Sequence, residues 1–393
     1  MNHSLYVHIP FCKHRCHYCD FNTYAGKESL IQGYVDALIQ ELRIASFFLT
    51  DEQVHSIYFG GGTPSLLAIE QYEEIFKAID QSFTLTDEIE ISIEVNPGTL
   101  TRSYLDRLHK LGFNRISVGV QSTNSFDLTR LDRIHNINDI LEGVRFARQV
   151  GFTNINLDLI FNLPWQDLSS WERSLSRAID LAPEHLSVYA LIIEPGTPLF
   201  DWYSRGLIAQ QDQDLEAEMF ETTMAMLDRA GYVHYEISNW AKLSTDRDYR
   251  CQHNLQYWYN LHYVGVGAGA HGYLGGVRTE NESQIEEYIS RIRCKNLDSL
   301  SFPQTPATLL TSEIDLATQM KDFMWLGLRL VNEGVSEDRF HKTYGCSMRE
   351  LFDSEISGLL DLGLVRWSEE GGGTLLLSKR GVMLANQVFM AFI

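Results

Sequence analysis

Six short runs of β-branched and aromatic residues recur along the first half of the chain, each followed by an amphipathic stretch of helical periodicity. Their starts lie on average about 36 residues apart, which accommodates a strand, a turn, a helix and a return. The alternation predicts an α/β fold with a parallel sheet covered by helices. The predicted strands start near Tyr6, Ile57, Ile91, Ile116, Ile155 and Leu186. Six units are too few for an eight-fold barrel, so periodicity leaves a partial barrel or a doubly wound sheet open.

The pattern changes after Leu191, and we predict three segments. Residues 1–200 form the α/β core, residues 201–300 a connecting extension, and residues 301–393 a smaller, mainly helical domain. In the last segment, helical runs precede LVRW, EEGGG and TLLLS, which predict helices followed by a two-stranded hairpin. This order resembles a winged-helix arrangement, and a plain capping domain is the alternative.

The charge balance restricts the partners of the chain. There are 32 Lys and Arg residues against 52 Asp and Glu, a formal net charge of −20. Phosphate backbones repel such a surface, so we expect no nucleic-acid partner. Three of the six cysteines are clustered and the others are scattered, which is not the pattern of a disulfide framework. We therefore predict a cytoplasmic protein with reduced thiols.

The clustered cysteines are the most informative local motif. Cys12, Cys16 and Cys19 follow the first predicted strand with the spacing C-x3-C-x2-C. A structural zinc site needs four ligands, usually in two separated pairs, whereas three thiolates on one loop can bind three irons of a four-iron cluster and leave the fourth open. The pattern favours an iron–sulfur cluster. A zinc site completed by a remote His or by Cys251 is the alternative.

Glycine and polar residues follow the predicted strands at one end. They are Gly60, Gly61, Gly62 and Thr63 after the second strand, and Glu94, Gln121 and Asp158 at the ends of the next three. The carboxyl ends of parallel strands form the edge where α/β proteins bind ligands. Glycines let the backbone approach an amino-acid-like ligand, and a carboxylate such as Glu94 suits its ammonium group.

The cysteine loop followed by GGGTP resembles the radical S-adenosylmethionine (SAM) superfamily. The segments YVHIPFC, FGGGTPS, IEVNPG, GVQS, DRIH and NLDLIFNLP, in this order, are similar to the coproporphyrinogen III dehydrogenase-like group over essentially the whole chain. The resemblance implies a partial (βα)6, TIM-like barrel joined to the smaller C-terminal domain. It also implies a [4Fe-4S] cluster and SAM, with the amino and carboxylate groups of SAM on the unique iron.

The resemblance further implies the site residues. Cys12, Cys16 and Cys19 are the implied cluster ligands. The implied SAM site comprises Tyr6, Tyr18, Gly61, Gly62, Thr63, Glu94, Gln121, Arg133, Asp158 and Ala190. Its glycine turn contacts the methionyl part, and its carboxylates, amide and guanidinium hold the polar groups and the ribose. Taken alone, Arg133 also fits a helix-surface charge and Tyr6 a half-buried strand aromatic.

Two sequence features separate an enzyme from a carrier within this group. The dehydrogenases have a fourth cysteine two residues after the third, where this chain has Phe21. The segment HNLQYW, which we take as a polar loop, resembles the HNxxYW signature of the haem chaperones of this group. The implied haem site comprises His253, Asn254, Tyr257 and Trp258. Imidazole is a common axial ligand of haem iron, and aromatic side chains offer apolar surface to a porphyrin.

The resemblance therefore implies a haem chaperone that binds haem and passes it to acceptor haemoproteins, including respiratory ones. Such a role implies an electron donor for the cluster and allows a peripheral membrane contact. Whether SAM is turned over stays open at this point. The alternative is oxidative decarboxylation of coproporphyrinogen III propionates by a 5′-deoxyadenosyl radical.

Overall fold

The computed structural model describes residues 2–49, 52–294, 300–368 and 373–393. The chain forms two compact units. The first, here the α/β unit, comprises Met1–Met219 and His262–Glu313, and the second, the helical unit, comprises Phe220–Leu261 and Ile314–Ile393. Residues 201–300 are thus divided between the units, because the segment after His262 adds strands to the sheet of the α/β unit.

The strands are numbered along the chain. They are β1 (Asn2–Ile9), β2 (Phe11–Cys12), β3 (Tyr24–Ala25), β4 (Gln53–Gly61), β5 (Thr84–Val95), β6 (Arg115–Gln121), β7 (Ile155–Phe161), β8 (His185–Ala190), β9 (Tyr232–Glu236), β10 (Asn239–Lys242), β11 (Tyr263–Val266), β12 (His271–Leu274), β13 (Val277–Asn281), β14 (Thr308–Glu313), β15 (Val335–Ser336), β16 (Val365–Trp367) and β17 (Thr374–Leu377).

The α-helices are numbered in the same way. They are α1 (Ile31–Ala45), α2 (Ile69–Ser82), α3 (Arg102–Lys110), α4 (Ser125–Arg130), α5 (Ile137–Val150), α6 (Leu168–Asp180), α7 (Pro198–Ser204), α8 (Gln213–Arg229), α9 (Gln252–Trp258), α10 (Ile285–Cys294), α11 (Leu316–Gly327), α12 (Glu337–Tyr344), α13 (Met348–Leu351), α14 (Asp353–Asp361), α15 (Lys379–Met383) and α16 (Ala385–Met390).

The six predicted strands are confirmed as a parallel sheet. In the α/β unit the strands pair in the order β14-β13-β12-β11-β1-β4-β5-β6-β7-β8. The six predicted strands are β1 and β4 to β8, and all of their neighbouring pairs are parallel. They follow one another in chain order without the reversal of a doubly wound sheet, so they wind in the manner of a barrel. Strand β1 pairs with β11 and β4, and the six strands therefore do not close through a β1–β8 pair.

The two faces of this sheet differ in chemistry. One face is apolar, with residues such as Leu5, Val7, Ile93 and Leu157 fully buried. Because side chains alternate along a strand, the intervening residues share the opposite face. That face, here the polar face, contains Ser4, Tyr6, His8, Ser56, Tyr58, Gly60, Ser92, Glu94, Arg115, Ser117, Gly119, Asn156, Asp158, His185 and Ser187. A sheet with one such face can position polar ligand-binding groups.

Local sequence signals define the helices that follow the strands. Helix α5 begins with a capping box in which Asn136 and Asp139 exchange hydrogen bonds, and it ends at Gly151 with φ of 109°. Helix α6 begins with the same type of box, formed by Asp167 and Ser170. These caps satisfy the backbone groups of the helix ends, so the βα loops start and end at fixed points.

The helical unit contains a small antiparallel sheet among its helices. Its core includes Phe323, Phe340, Leu359 and Phe389. The predicted hairpin forms between β16 and β17, but the prediction lacks a third strand. Strand β15 also pairs with β17, which gives a three-stranded sheet of order β15-β17-β16. The signal for β15 is only two residues long, too short for a sequence pattern. Residues 369–372 of the predicted EEGGG turn lie outside the described residues.

Helix length and composition also bear on membrane spanning. In the described part of the chain, no helix combines the length and the apolar character needed to cross a bilayer.

Candidate functional site

The three clustered cysteines lie on the segment that follows β1. All three are free thiols; Cys12 is buried in β2, and Cys16 and Cys19 are partly buried. The Thr63 hydroxyl donates to Cys12 Sγ at 3.5 Å, so the first thiol faces the turn after β4. Among the described residues, no three or more His, Cys, Asp or Glu side chains are grouped to hold a metal ion.

The segment after α4 fixes the cysteine loop from one side. The Asp132 carboxylate contacts His14 Nε2 and, at 3.1 Å, His17 Nε2. The backbone NH of His17 donates to Leu131 O at 3.3 Å. Asp132 has a φ of 60°, a conformation that is uncommon for a residue other than glycine and that structures retain where the surroundings enforce it.

Arg133 lies beside a thiol rather than on a helix surface. Its Nη1 donates to Cys16 Sγ at 3.5 Å and its Nη2 to Gly119 O at 2.8 Å. Burial raises the pKa of the Cys16 thiol, and the Arg133 charge opposes that shift. Tyr18 packs nearby against a cluster that includes Leu131 and Ile160. A guanidinium at this place offsets the negative charge of a thiolate.

The glycine turn after β4 leaves no room for side chains. Gly61 has a φ of 117°, and a Cβ there would lie 2.6 Å from His8 Cε1. A Cβ on Gly62 would lie 2.7 Å from Phe11 O and 2.9 Å from Cys12 Sγ. The turn therefore packs bare backbone directly against the segment that holds the first thiol, which only glycine allows.

Glu94 connects the glycine turn to the polar face. Its Oε1 accepts from the Tyr58 hydroxyl at 2.9 Å and its Oε2 from Gly61 N at 3.1 Å. Burial, followed by the charge of Asp158, raises the pKa of Glu94 to about 7. A cationic group bound at this carboxylate would relieve that destabilisation of its charged form.

Asp158 lies on the polar face of β7, and neighbouring side chains hold both of its oxygens. Ser117 Oγ donates to Oδ2 at 2.8 Å and Asn156 Nδ2 to Oδ1 at 2.8 Å. Burial raises the pKa of Asp158, and these hydrogen bonds oppose the shift. The carboxylate is thus held in a defined orientation.

Tyr6 is a member of a short hydrogen-bonded chain on β1. Burial lowers the pKa of His8, so its imidazole is neutral at pH 7. Its Nε2 lies 2.9 Å from Asn22 O and must donate to that carbonyl, so its Nδ1 accepts from the Tyr6 hydroxyl at 3.0 Å. The Tyr6 ring stacks with Tyr58 at 6.3 Å between centroids. The chain links β1 to the segment that follows the cysteine loop.

The remaining predicted SAM-site residues lie at two strand ends. Gln121 ends β6 with a φ of 64°, next to a register irregularity between β6 and β7. A Cβ on Gly119 would lie 3.0 Å from Gln121 Nε2 and 3.3 Å from Arg133 Nη2, so these two side chains are neighbours. Ala190 ends β8 and pairs in register with Phe161. Gly61, Glu94, Gln121 and Ala190 thus lie at or next to the carboxyl ends of their strands. Asp158 lies within β7 rather than at its end as predicted, because β7 continues for three more residues to Phe161.

The arrangement fits the implied cofactors. Three free thiols offer ligands to an iron–sulfur cluster, the side chain of Arg133 offsets thiolate charge, and the Gly62 backbone contacts Cys12 where a ligand would meet the cluster. The Glu94 and Asp158 carboxylates offer acceptors for an ammonium group and for hydroxyls.

The HNLQYW segment lies in the helical unit and is a helix, not the expected loop. It forms α9, and His253 is 1 % exposed. His253 Nε2 and the Tyr257 hydroxyl are 2.9 Å apart, and the Arg329 guanidinium lies 4.2 Å from the Trp258 ring centroid. Leu255 packs in a cluster with Tyr235 and Leu330. This tertiary contact stabilises the segment as a helix, although its polar composition suggested a loop.

Several residues that the sequence analysis did not assign belong to the α/β site. They are His8, Tyr58, Ser117, Asp132 and Asn156. The detectable signal was the strict alternation of polar and apolar residues along β1, β4, β5, β6 and β7, which places all but Asp132 on one face. Asp132 lies in a loop and has no such signal.

Comparisons with known proteins agree with this fold. Residues 6–178 match the model of the Radical SAM superfamily. The structure is similar to coproporphyrinogen III oxidase (HemN) from Escherichia coli, with a TM-score of 0.83 and 24% identity over 99% of this chain and 89% of that one. The fold is therefore of the radical SAM type.

Relatives of higher identity extend over the whole length. The chain is 39% identical to the heme chaperone HemW of Bacillus subtilis, over 99% of each chain. It is 33% identical to the heme chaperone HemW of Lactococcus lactis, over 99% of this chain and 97% of that one. The chain belongs to the HemW family within the radical SAM superfamily. Membership of the superfamily implies a [4Fe-4S] cluster and SAM.

Proposed function

We propose that the protein is a haem chaperone that binds a [4Fe-4S] cluster, SAM and haem, and delivers the haem to haemoproteins. The observation that supports this most is full-length similarity to proteins named heme chaperone HemW, combined with both motifs in one chain. The thiol motif lies beside a glycine turn, and the HNLQYW motif forms a helix of its own.

In this proposal Cys12, Cys16 and Cys19 hold the cluster, which supplies one-electron chemistry when bound. Gly61, Gly62 and Thr63 receive the amino-acid part of SAM along bare backbone. The Glu94 carboxylate accepts from the SAM ammonium, and Asp158, Gln121 and Arg133 orient its ribose and polar groups. Tyr6, Tyr18 and Ala190 line the same site and exclude water.

The haem site of this proposal is the α9 helix. His253 Nε2 is hydrogen-bonded with the Tyr257 hydroxyl, so iron binding through this nitrogen requires that contact to open. Tyr257 and Trp258 would then offer their rings to the porphyrin, with Asn254 beside them. Because opening this contact costs free energy, haem binding on α9 would be weak and reversible, which suits a protein that delivers haem.

The partners follow from delivery. We propose haem as cargo, haemoproteins including respiratory ones as acceptors, and an electron donor for the cluster. Peripheral contact with a membrane would bring the carrier to membrane-bound acceptors. We place the activity in the cytoplasm, where the free thiols stay reduced.

Haem titration tests the proposed cargo. We expect a Soret band on addition of haem to cluster-loaded protein, and a weaker band in His253→Ala. The matched control is His234→Ala, a partly buried histidine of the same helical unit outside the motif, which should leave the band unchanged. An unaltered spectrum in His253→Ala would contradict His253 as a ligand. Vinyl products formed from coproporphyrinogen III with SAM and a reductant would contradict the chaperone function and favour the dehydrogenase alternative.

A further inference from the structure

A network of buried hydrogen bonds on the polar face centres on Asn156. The Asn156 amide contacts four side chains from three neighbouring strands. Its Nδ2 lies 2.7 Å from Ser117 Oγ and 2.8 Å from Asp158 Oδ1. Its Oδ1 lies 2.6 Å from His185 Nδ1 and 3.2 Å from Ser187 Oγ. Asn156 is 1 % exposed, and all its donor and acceptor positions are used.

The chemistry of the partners fixes the direction of these bonds. An ionised Asp158 has only acceptors, so the nitrogen of the Asn156 amide must face it. The amide oxygen then faces His185, whose Nδ1 must be the donor. Burial and the charge of Arg115 lower the pKa of His185, so the imidazole is neutral with its proton on Nδ1. Every donor in the network therefore points toward Asp158.

Asp158 is the end point of this chain of donors. Ser117 accepts from Asn156 and donates its own proton to Asp158 Oδ2 at 2.8 Å. Both carboxylate oxygens thus receive a donor from a side chain that is itself held in place, and Ser187 also hydrogen-bonds to Asp158. Hydrogen bonds to the charged form favour that form, and they fix the rotamer of the acceptor.

We propose that Asn156 is a positioning residue of the SAM site, which keeps Asp158 ionised and oriented toward the ligand through its amide N–H and through Ser117. The inference rests on the proposed function, because Asp158 receives its role there. No comparison assigns a role to Asn156 or Ser117.

Other charged groups surround the network and must be considered in its test. Glu94 on β5 interacts with Asp158 as a like charge, and Arg115 on β6 interacts with Asp158 as an opposite charge. His185 on β8 is the nearest titratable group on the far side of Asn156. Because Glu94 has a pKa of about 7, the SAM affinity of each variant is compared with that of the wild type at the same pH.

The test is SAM binding to cluster-loaded Asn156→Asp at two pH values. At pH 8 the introduced carboxylate faces Asp158, offers no donor, and repels it, so we expect SAM affinity roughly tenfold or more below that of the wild type. At pH 6 the two carboxyls share a proton, and its O–H replaces the amide donor. We expect the ratio of the two dissociation constants to fall to about threefold or less.

A purely structural role would lower affinity by the same factor at both pH values, and that result would overturn the inference, as would unchanged affinity at pH 8. Wild-type cluster-loaded protein that fails to bind SAM would overturn the proposed SAM site, and the inference with it. Wild-type binding with a variant ratio independent of pH would overturn the inference alone.

If Asn156→Asp does not fold, two serine variants test the same positioning role. Ser117→Ala removes one donor to Asp158, whereas Ser92→Ala removes a buried hydroxyl of the adjacent strand that has no hydrogen-bond partner among the described residues. We expect SAM affinity to fall by about three- to tenfold in Ser117→Ala and to stay within about twofold in Ser92→Ala. Equal affinities in the two variants would overturn the inference.

Discussion

The thiol site of the α/β unit and the HNLQYW helix of the helical unit differ in how far they are prepared for a ligand. At the thiol site, bare glycine backbone contacts Cys12, and Arg133 already lies beside Cys16. On α9, His253 is buried and hydrogen-bonded with Tyr257. A preorganised site loses function when any part moves, whereas a site that must open can gain affinity when a closing contact is removed. Loss of a contact should therefore weaken ligand binding at the thiol site, whereas loss of the closing Tyr257 hydroxyl should strengthen haem binding on α9.

The largest effect expected is at the cysteines. Cys16→Ser should abolish iron and acid-labile sulfide, because a hydroxyl does not replace a thiolate as an iron ligand. Haem binding by the helical unit should persist in this variant. Cys294→Ser changes an exposed thiol of α10 and should retain the full cluster content. Iron, sulfide and haem are measured in anaerobic preparations of both variants. Full cluster content in Cys16→Ser would contradict its role as a ligand.

The glycine turn should be nearly as sensitive. Gly62→Ala forces a Cβ to within 2.7 Å of Phe11 O, so the cysteine loop or the turn must shift. We expect SAM affinity to fall roughly tenfold or more, measured by titration of cluster-loaded protein. Gly358→Ala is the matched control, because a Cβ there meets nothing within 4 Å in helix α14. Equal SAM affinities in the two variants would contradict the proposal that SAM binds against the backbone of the Gly62 turn.

A moderate effect on stability is expected at Glu94. Burial raises its pKa from 4.5 to about 7, so the folded state binds this proton more tightly than the unfolded state. The stability contributed by the group is complete below about pH 4.5 and is lost as pH rises through 7. Glu94→Gln removes the titration, and at pH 8 it should stabilise the cluster-free protein by about 1–3 kcal/mol.

Urea unfolding at pH 5.5 and pH 8 measures this difference, which should be larger at pH 8. Glu88→Gln replaces an exposed carboxylate of the same strand, β5, and should change the free energy of unfolding by less than about 0.5 kcal/mol at either pH. A stabilisation in Glu94→Gln that does not increase with pH would show that its charge is not the cause.

The smallest effect expected is on α9, and it has the opposite sign. Tyr257→Phe removes the hydroxyl that lies 2.9 Å from His253 Nε2, and iron binding no longer competes with that hydrogen bond. Haem affinity should rise by about two- to tenfold, as expected for a net hydrogen bond of about 0.5–1.5 kcal/mol. Tyr259→Phe, outside the motif, is the control. Weaker haem binding in Tyr257→Phe would show that the hydroxyl itself contributes to haem binding and would contradict its role as a closing contact.

Much of the α/β unit could be predicted from the sequence, because its strands repeat one pattern at a regular spacing. The order β1, β4 to β8 and the position of Cys12, Gly62 and Glu94 at one edge follow from that repetition. The polar role of residues such as Asn156 is less evident in the sequence, because aliphatic residues such as Leu157 separate them along each strand. Their alternation was nevertheless present in the sequence.

The helical unit was less accessible to prediction. Strand β15 has only two residues, and its pairing with β17 depends on a contact 40 residues away in sequence, Val335 with Leu375. Helix α9 depends on the burial of Leu255 against Leu330, a tertiary contact that local composition does not encode. Long-range packing of this kind overrides local propensity.

The two-site account is tested most directly by measuring iron, sulfide and haem together on two proteins. They are the wild type and a triple variant in which Ser replaces Cys12, Cys16 and Cys19. We predict about four irons and four sulfides per chain in the wild type, none in the variant, and the same haem affinity in both. Stoichiometric zinc without sulfide in the wild type, or loss of haem binding together with the cluster, would contradict it.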